Sequence, residues 1–376
     1  MGTSKAIQLR HDLHRHPELS GSEAATSQRI ARFFQPLHPD ETWTGLGGHG
    51  LAFGFGNAQT GPTVMLRCEL DALPITEIHQ TAHRSLTKGV SHQCGHDGHM
   101  AIVAAVGESL SRQRPARGRV ILLYQPAEET GAGAAAVLAD QRLGQIRPDF
   151  VFALHNLPGF PMGQLLVRTG TFSCASRGME IRLTGRTAHA AQPETGISPA
   201  KAMCRIIDEF HKLPARLEVG TELAFATVVG ARLGKKAFGT APGDAAVMAT
   251  LRSETDTTMD RMVRHSEEMV RGIASSERLE HTISFEDVFP STQNSQAAVD
   301  TIRKASGTAT VQVVDAPFRW SEDFGRFTSI AEGALFGLGA GERSIDLHDP
   351  DYDFPDELIE SGCAIFQRIV RECLGS

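Results

Sequence analysis

No stretch of the chain stays apolar for the roughly 20 residues that a membrane-spanning helix needs, which excludes a helical membrane protein and a membrane partner. A basic excess is also missing. The 37 Lys and Arg residues face 44 Asp and Glu, a formal charge of −7, and this argues against nucleic acid as a partner. The opening MGTSKAIQLRHDLHRHPE has no apolar core of a signal peptide, so none is expected. Ala6 stands where a myristoylation motif needs Ser or Thr. Six cysteines (Cys68, Cys94, Cys174, Cys204, Cys363 and Cys373) lie scattered without framework spacing. That pattern fits reduced thiols and a cytoplasmic enzyme rather than a disulfide scaffold. Internal repeats and low-complexity segments are absent as well.

What is present reads as an ordinary folded protein, 41% hydrophobic and 22% charged. At 376 residues it exceeds what one core usually serves, so two domains are expected. After a helical opening with Ile30, Phe33 and Phe34 at helical spacing, LAFGFG and TVMLRCEL read as strands. MAIVAAVGESLSRQ reads as a buried helix, GRVILLYQ as a strand, GAAAVLADQRLG as a helix and PDFVFALHNLP as a strand. This alternation predicts an α/β fold with a mainly parallel twisted sheet flanked by helices. From about Ser176 the order becomes βαββαβ, a self-contained run that predicts an inserted ferredoxin-like α+β domain. The expected bounds are 1–175 and 288–376 for the first domain and 176–287 for the second.

In open parallel sheets ligands gather at the carboxyl ends of the strands. There RCELDALP places Glu69 and Asp71, LLYQPAEE places Glu128 and Glu129, and VFALHN places His155. Between them SHQCGHDGHM supplies Cys94, His96, Asp97 and His99. Singly, each has a structural explanation: a satisfied core histidine, a solvated turn, a small buried thiol. Together at successive strand ends they predict a site for divalent transition metals, since imidazole and thiolate suit zinc-like ions and carboxylates complete the shell. Neighbouring Glu128 and Glu129 cannot both point the same way, so one could bind metal while the other handles a water.

These residues resemble the M20 metallopeptidases, in particular the amidohydrolase subfamily of N-acyl-amino-acid, hippurate and auxin-conjugate hydrolases. The matching stretches are LRHDLHRHPELSGSE, RCELDALPITE, CGHDGH, YQPAEETGAGA, ALHNLP, GRTAHAAQPETGISP, SEDFGRF and LHDPDYDFPDE. The resemblance implies two divalent metal ions per subunit, zinc first with manganese or cobalt as alternatives, held by Cys94, His96, Glu129, His155 and His348. It implies Glu128 as general base, and a lid and dimerisation domain whose His189 reaches a neighbouring subunit's site in a homodimer. Arg252 matches an arginine associated with substrate binding. Asp97, His99, Glu69 and Asp71 then orient the ligands, and His92 is structural. The implied reaction is hydrolysis of a small N-acyl or N-aroyl amino acid to a carboxylic acid and a free amino acid.

The chain departs from the family pattern at three places. Glu69 stands where aspartate is usual, Ser198 where aspartate is common, and Gly239 where an asparagine side chain normally donates to substrate. Rival expectations are a dipeptidase or carboxypeptidase of the same broader family and a catalytically silent metal-binding protein. A further rival is a cysteine enzyme with Cys94 as nucleophile. CGHDGH favours the amidohydrolase branch, and Glu128 beside Glu129 speaks against a silent binder.

Overall fold

The computed structural model of the protein describes residues 3–217 and 219–375. The chain divides into two compact units. The first comprises Met1–Phe172, Thr292–Pro317 and Glu322–Ser376; the second comprises Ser173–Ser291 and Phe318–Ser321. The short excursion Phe318–Ser321 has no counterpart in the expected bounds and carries no periodic pattern that would announce it.

The first unit is built on an eight-stranded sheet. Its strands in chain order are β1 (Glu41–Leu46), β2 (Gly50–Asn57), β3 (Thr63–Glu69), β4 (Gly118–Gln125), β5 (Phe150–Leu157), β6 (Leu165–Val167), Val311–Val313 and Glu332–Gly339. Across the sheet they run β1, β2, β4, β3, β5, Glu332–Gly339, β6, Val311–Val313. The central four are parallel to one another. β1 and β2 pair antiparallel, β2 joins β4 antiparallel, and β6 joins Glu332–Gly339 antiparallel. The sheet is therefore mixed, with a parallel centre and antiparallel pairings outside it. The cause is local: the three residues between β1 and β2 leave room for a hairpin turn, and a parallel pairing would need a crossover.

Continuous apolar sequence in β3, β4 and β5 is buried almost throughout, as a strand covered on both faces requires. Helices α1 (Thr3–Arg15), α2 (Ala24–Phe34) and α3 (His96–Arg112) and the C-terminal helix Leu358–Leu374 cover the face that carries Val64, Leu66, Leu122 and Phe152. The single expected helix in GAAAVLADQRLG is two short ones, Gly133–Ala139 and Leu143–Ile146.

The second unit holds a four-stranded antiparallel sheet in the order Ala224–Leu233, Asp244–Ser253, Ala175–Thr184, Glu280–Phe289. Helices Ala200–Arg216 and Asp256–Ser276 pack their apolar faces on it through Ile206, Phe210, Met259 and Val270.

Candidate metal centre

The site lies within the first unit, where three parallel strands stop. β3 ends on Glu69, β4 runs into Pro126–Ala127–Glu128–Glu129, and His155 sits near the end of β5. Ala127 has φ +50, a left-handed conformation costing a residue with a Cβ about 1–2 kcal/mol. It is held there by its N–H, which donates to Glu23 Oε1 at 2.8 Å. The Glu129 N–H donates to Asp71 Oδ2 at 2.9 Å, so the turn is anchored on both sides of Glu128. Helix α3 opens at His96, directly after Gly95 with φ +89. A Cβ at Gly95 would stand 2.8 Å from the Asn156 side-chain amide, so only glycine lets the ligand-bearing turn approach β5.

Five expected ligands converge into two overlapping triads. Cys94, His96 and His155 offer donor atoms within 4.8 Å of one another, as do Cys94, Glu129 and His348. Cys94 belongs to both, and its Sγ lies 3.5 Å from His155 Nε2. His96 Nε2 stands 3.8 Å from Glu129 and 3.9 Å from Glu128. Cys94, His96, Glu128 and His155 are buried, whereas His348 is exposed. Its φ of +66 is another left-handed backbone.

The buried atoms His96 Nε2, Glu129 Oε1 and Asp71 Oδ1 have no hydrogen-bond partner. Buried polar atoms are rarely orphaned without reason. Electrostatics points the same way. Burial and the charges of Glu322 and Glu129 hold Glu128 well above the usual carboxylate range. Burial lifts Glu129 to about 7, with His96 opposing and Asp71 adding to the rise. Burial, then Glu129, pushes the Cys94 thiol to about 12. Acids and a thiol crowded away from water resist ionising together, and a divalent cation reverses that balance. The donor set therefore fits divalent metal.

The neighbouring residues orient this cluster. His96 Nδ1 lies 2.9 Å from the Asp71 carbonyl oxygen, which leaves Nε2 facing the other donors. His99 is engaged at both ring nitrogens, with Nδ1 2.6 Å from Glu69 Oε2 and Nε2 2.5 Å from Asn156 Oδ1. Asn156 Nδ2 in turn donates to Tyr352 Oη at 2.5 Å. Asp97 accepts from Arg10 Nε and lies against His14 Nδ1, both at 2.9 Å. His92 is buried, and burial depresses its ring to about 3, so it is neutral.

Sequence reasoning missed the ion cluster behind Glu128. Arg67, wholly buried on β3, pairs with Glu69, with Glu322 at 2.8 Å and with Asp323 at 2.7 Å. Glu128, Glu322 and Asp323 have oxygens within 4.8 Å of one another. The stretch SEDF was visible as a motif, but no local pattern ties it to β3, which lies 255 residues earlier.

The remaining expected residues lie in the second unit and are described there alone. His189 is exposed on a two-residue strand paired with Thr240. Its Nδ1 accepts from the Ala191 N–H at 3.0 Å, which leaves the ring proton on Nε2. Gly239 accepts from the Ala190 N–H at 3.0 Å through its carbonyl, and no atom lies within 4 Å of where its side chain would start. Arg252 is half-buried, with Nη1 donating to the Arg319 carbonyl at 3.0 Å and to Ser321 Oγ at 2.9 Å.

A thiol, imidazoles and carboxylates gathered at the carboxyl edge of an α/β sheet, with one glutamate left over beside them, mark the class as metal-dependent hydrolases. The profile of Peptidase family M20/M25/M40 matches residues 65–372, and the chain belongs to that family. It is 31% identical over 365 residues to N-acetyldiaminopimelate deacetylase of Enterococcus faecalis, covering 95% of this chain and 94% of the relative. To the hippurate hydrolase of Campylobacter jejuni it is 27% identical over 371 residues, covering 98% and 96%. Among solved structures, the Bacillus subtilis YXEP protein, a dinuclear metal-binding peptidase of the M20 family, superposes with a TM-score of 0.81 at 25% identity, covering 99% and 98% of the two chains. The protein is thus a metallo-hydrolase acting on amides.

Proposed function

We propose that the protein hydrolyses the amide bond of an N-acyl or N-aroyl amino acid, releasing a carboxylic acid and a free amino acid. The observation that carries this reading is the pair of donor triads sharing Cys94, with Glu128 beside them and outside both. Cys94, His96, Glu129, His155 and His348 would hold two divalent ions, zinc by preference because thiolate and imidazole donors favour it, with manganese or cobalt as alternatives. Such ions supply Lewis acidity, polarising the amide carbonyl and making water a better nucleophile at neutral pH. Glu128 Oε takes the proton from the attacking water and delivers it to the leaving amine nitrogen. Its buried position behind Glu322 and Asp323 favours holding that proton between the two transfers.

His189, with its proton fixed on Nε2, is proposed to donate to the oxyanion of the tetrahedral intermediate. Arg252 is proposed to meet the carboxylate of the amino-acid half, its guanidinium steadied by Arg319 and Ser321. The second unit is proposed as a ferredoxin-like lid and dimerisation domain. Its strand Ala224–Leu233 is a sheet edge carrying the exposed Val229, a surface suited to a second copy. The bare Gly239 removes the amide that the family usually offers to substrate, which favours an acyl-amino acid whose recognition does not depend on that donor. Six free thiols support a reducing, cytoplasmic setting. Among the described residues no helix is long and apolar enough to cross a membrane.

The test is a panel of N-acetyl-, N-benzoyl- and dipeptide substrates given to protein stripped of metal and reloaded with zinc, manganese or cobalt. Glu128→Gln is assayed beside it. Cleavage of acylated amino acids that returns with metal, and that falls about 10²–10⁴-fold in Glu128→Gln at equal metal content, is the expected result. Preference for dipeptides would move the assignment to a peptidase. Turnover indifferent to metal but abolished by alkylation would move it to cysteine chemistry.

A further inference from the structure

His348, like Cys94 and Glu129, is an expected ligand outside every helix and strand, and it is the exposed one whose own backbone is left-handed. It lies in a turn with Leu347, at φ +66, and the next helix starts only at Leu358. A residue in that conformation relaxes unless its surroundings over-determine it. The restraint comes from the other end of the chain. Gln93 grips the segment twice: its carbonyl accepts from the His348 N–H at 2.8 Å, and its Nε2 donates to the Pro350 carbonyl at 2.8 Å.

Arg10 of α1 does the rest. The guanidinium is 1% exposed and fully used: Nε donates to Asp97 at 2.9 Å, Nη1 to Asp356 at 2.6 Å, and Nη2 to Asp353. Asp97 directly follows His96, and Asp353 and Asp356 follow His348. One side chain therefore joins the helix that opens on one ligand to the segment that carries another. His83 and His11 back it up, each with Nε2 2.9 Å from Asp353 and Asp356 respectively, their rings stacked at 4.1 Å. The other triad is held differently. His155 lies in β5, paired there with Gly337 of the neighbouring strand, and His96 stands at the start of a 17-residue buried helix.

We infer that Arg10 is a positioning residue for the cation place built with His348, so that the two ions are held unequally and only one depends on this latch. The inference rests on the dinuclear reading above. With the latch broken, His348 is free to leave its left-handed backbone and the Cys94–Glu129–His348 set loses a donor, while Cys94, His96 and His155 stay in place.

The experiment compares the whole protein with the double variant Asp353→Asn, Asp356→Asn, and with Arg10→Met. The double variant cuts the latch on its solvent side and leaves Asp97 with its partners, so it tests the idea even if Arg10→Met fails to fold. Metal-free samples are titrated with zinc against a competing chelator, bound metal is counted by elemental analysis, and cobalt-loaded samples are followed by the thiolate-to-cobalt absorption of Cys94. In both variants we expect the weaker ion to loosen by about 10–100-fold, the tighter one to change by less than about twofold, and the cobalt–thiolate band to persist. Equal weakening of both ions, or no weakening of either, would overturn the latch. Wild-type protein that binds fewer than two ions would overturn the dinuclear reading itself, and that result needs no variant.

Discussion

In the proposed reaction, a backbone choice at Ala127 and a tautomer choice at His189 would set the chemistry. At Ala127 a left-handed turn separates the roles of two adjacent glutamates, sending Glu129 toward Cys94 and His348 and leaving Glu128 beside Glu322. At His189 a hydrogen bond from the Ala191 N–H fixes which ring nitrogen can donate. His189→Ala is expected to lower kcat by about 10²–10³-fold with metal content unchanged, the usual loss of one oxyanion donor. Steady-state kinetics beside elemental analysis checks it. His14 yields a different kind of prediction. Burial alone would depress its pKa, but Asp97 and Glu77 outweigh burial and raise it from 6.5 to about 9. A group raised in the folded state stabilises fully below its unfolded pKa, and that stabilisation is lost as pH climbs through the folded one. His14→Gln should therefore cost most stability near pH 6 and progressively less between 6.5 and about 9. Denaturant titrations of the metal-free proteins at pH 6 and 10 would show whether the gap closes.

At the scale of elements, β3 is the strand on which the site depends most. It carries Arg67 and ends at Glu69, and it sits between β4 and β5. Arg67 compensates three buried carboxylates at once. Arg67→Met would remove their one shared cation, leaving Glu69 to His99 and Asp323 to Gln125 and the Ala134 N–H, so a loss of about 3–5 kcal/mol in urea denaturation is expected. A change under about 1 kcal/mol would mean that the carboxyls protonate at little cost. The strands themselves were largely legible, because β3, β4 and β5 each hold an apolar stretch with polar residues gathered at the carboxyl end. β1 was not: ETWTGL alternates weakly, contains a glycine and buries only two of its residues. Much of the candidate site was legible because Cys94 and His96, and then Glu128 and Glu129, cluster in short motifs. Arg10, Arg67 and Glu322 were not, since ion pairs 346 and 255 residues apart leave no periodicity in the chain. Asn156 and Tyr352 stayed hidden for the same reason, each reading locally as an ordinary strand or loop residue.

For the whole molecule, metal and fold should be linked. An ion bound only by the folded state adds about 2.7 kcal/mol at a free concentration 100 times its Kd. Chelation is therefore expected to lower the melting temperature as well as abolish turnover, and the loss should be restored by zinc. Calorimetry with and without chelator measures it; an unchanged transition would mean that the donors are equally content without a cation. Sedimentation of the intact protein tests the proposed homodimer, and a fully active monomer would remove His189 from a neighbour's site.

The strap behind His348 also sets a timetable. Gln93 and Pro350, which it joins, are 257 residues apart. On a chain leaving the ribosome, Cys94, His96 and His155 appear well before His348, which completes the second triad. If Cys94, His96 and His155 hold one ion early, the second cation place still waits for His348, and the two ions need not come from the same supply at the same moment.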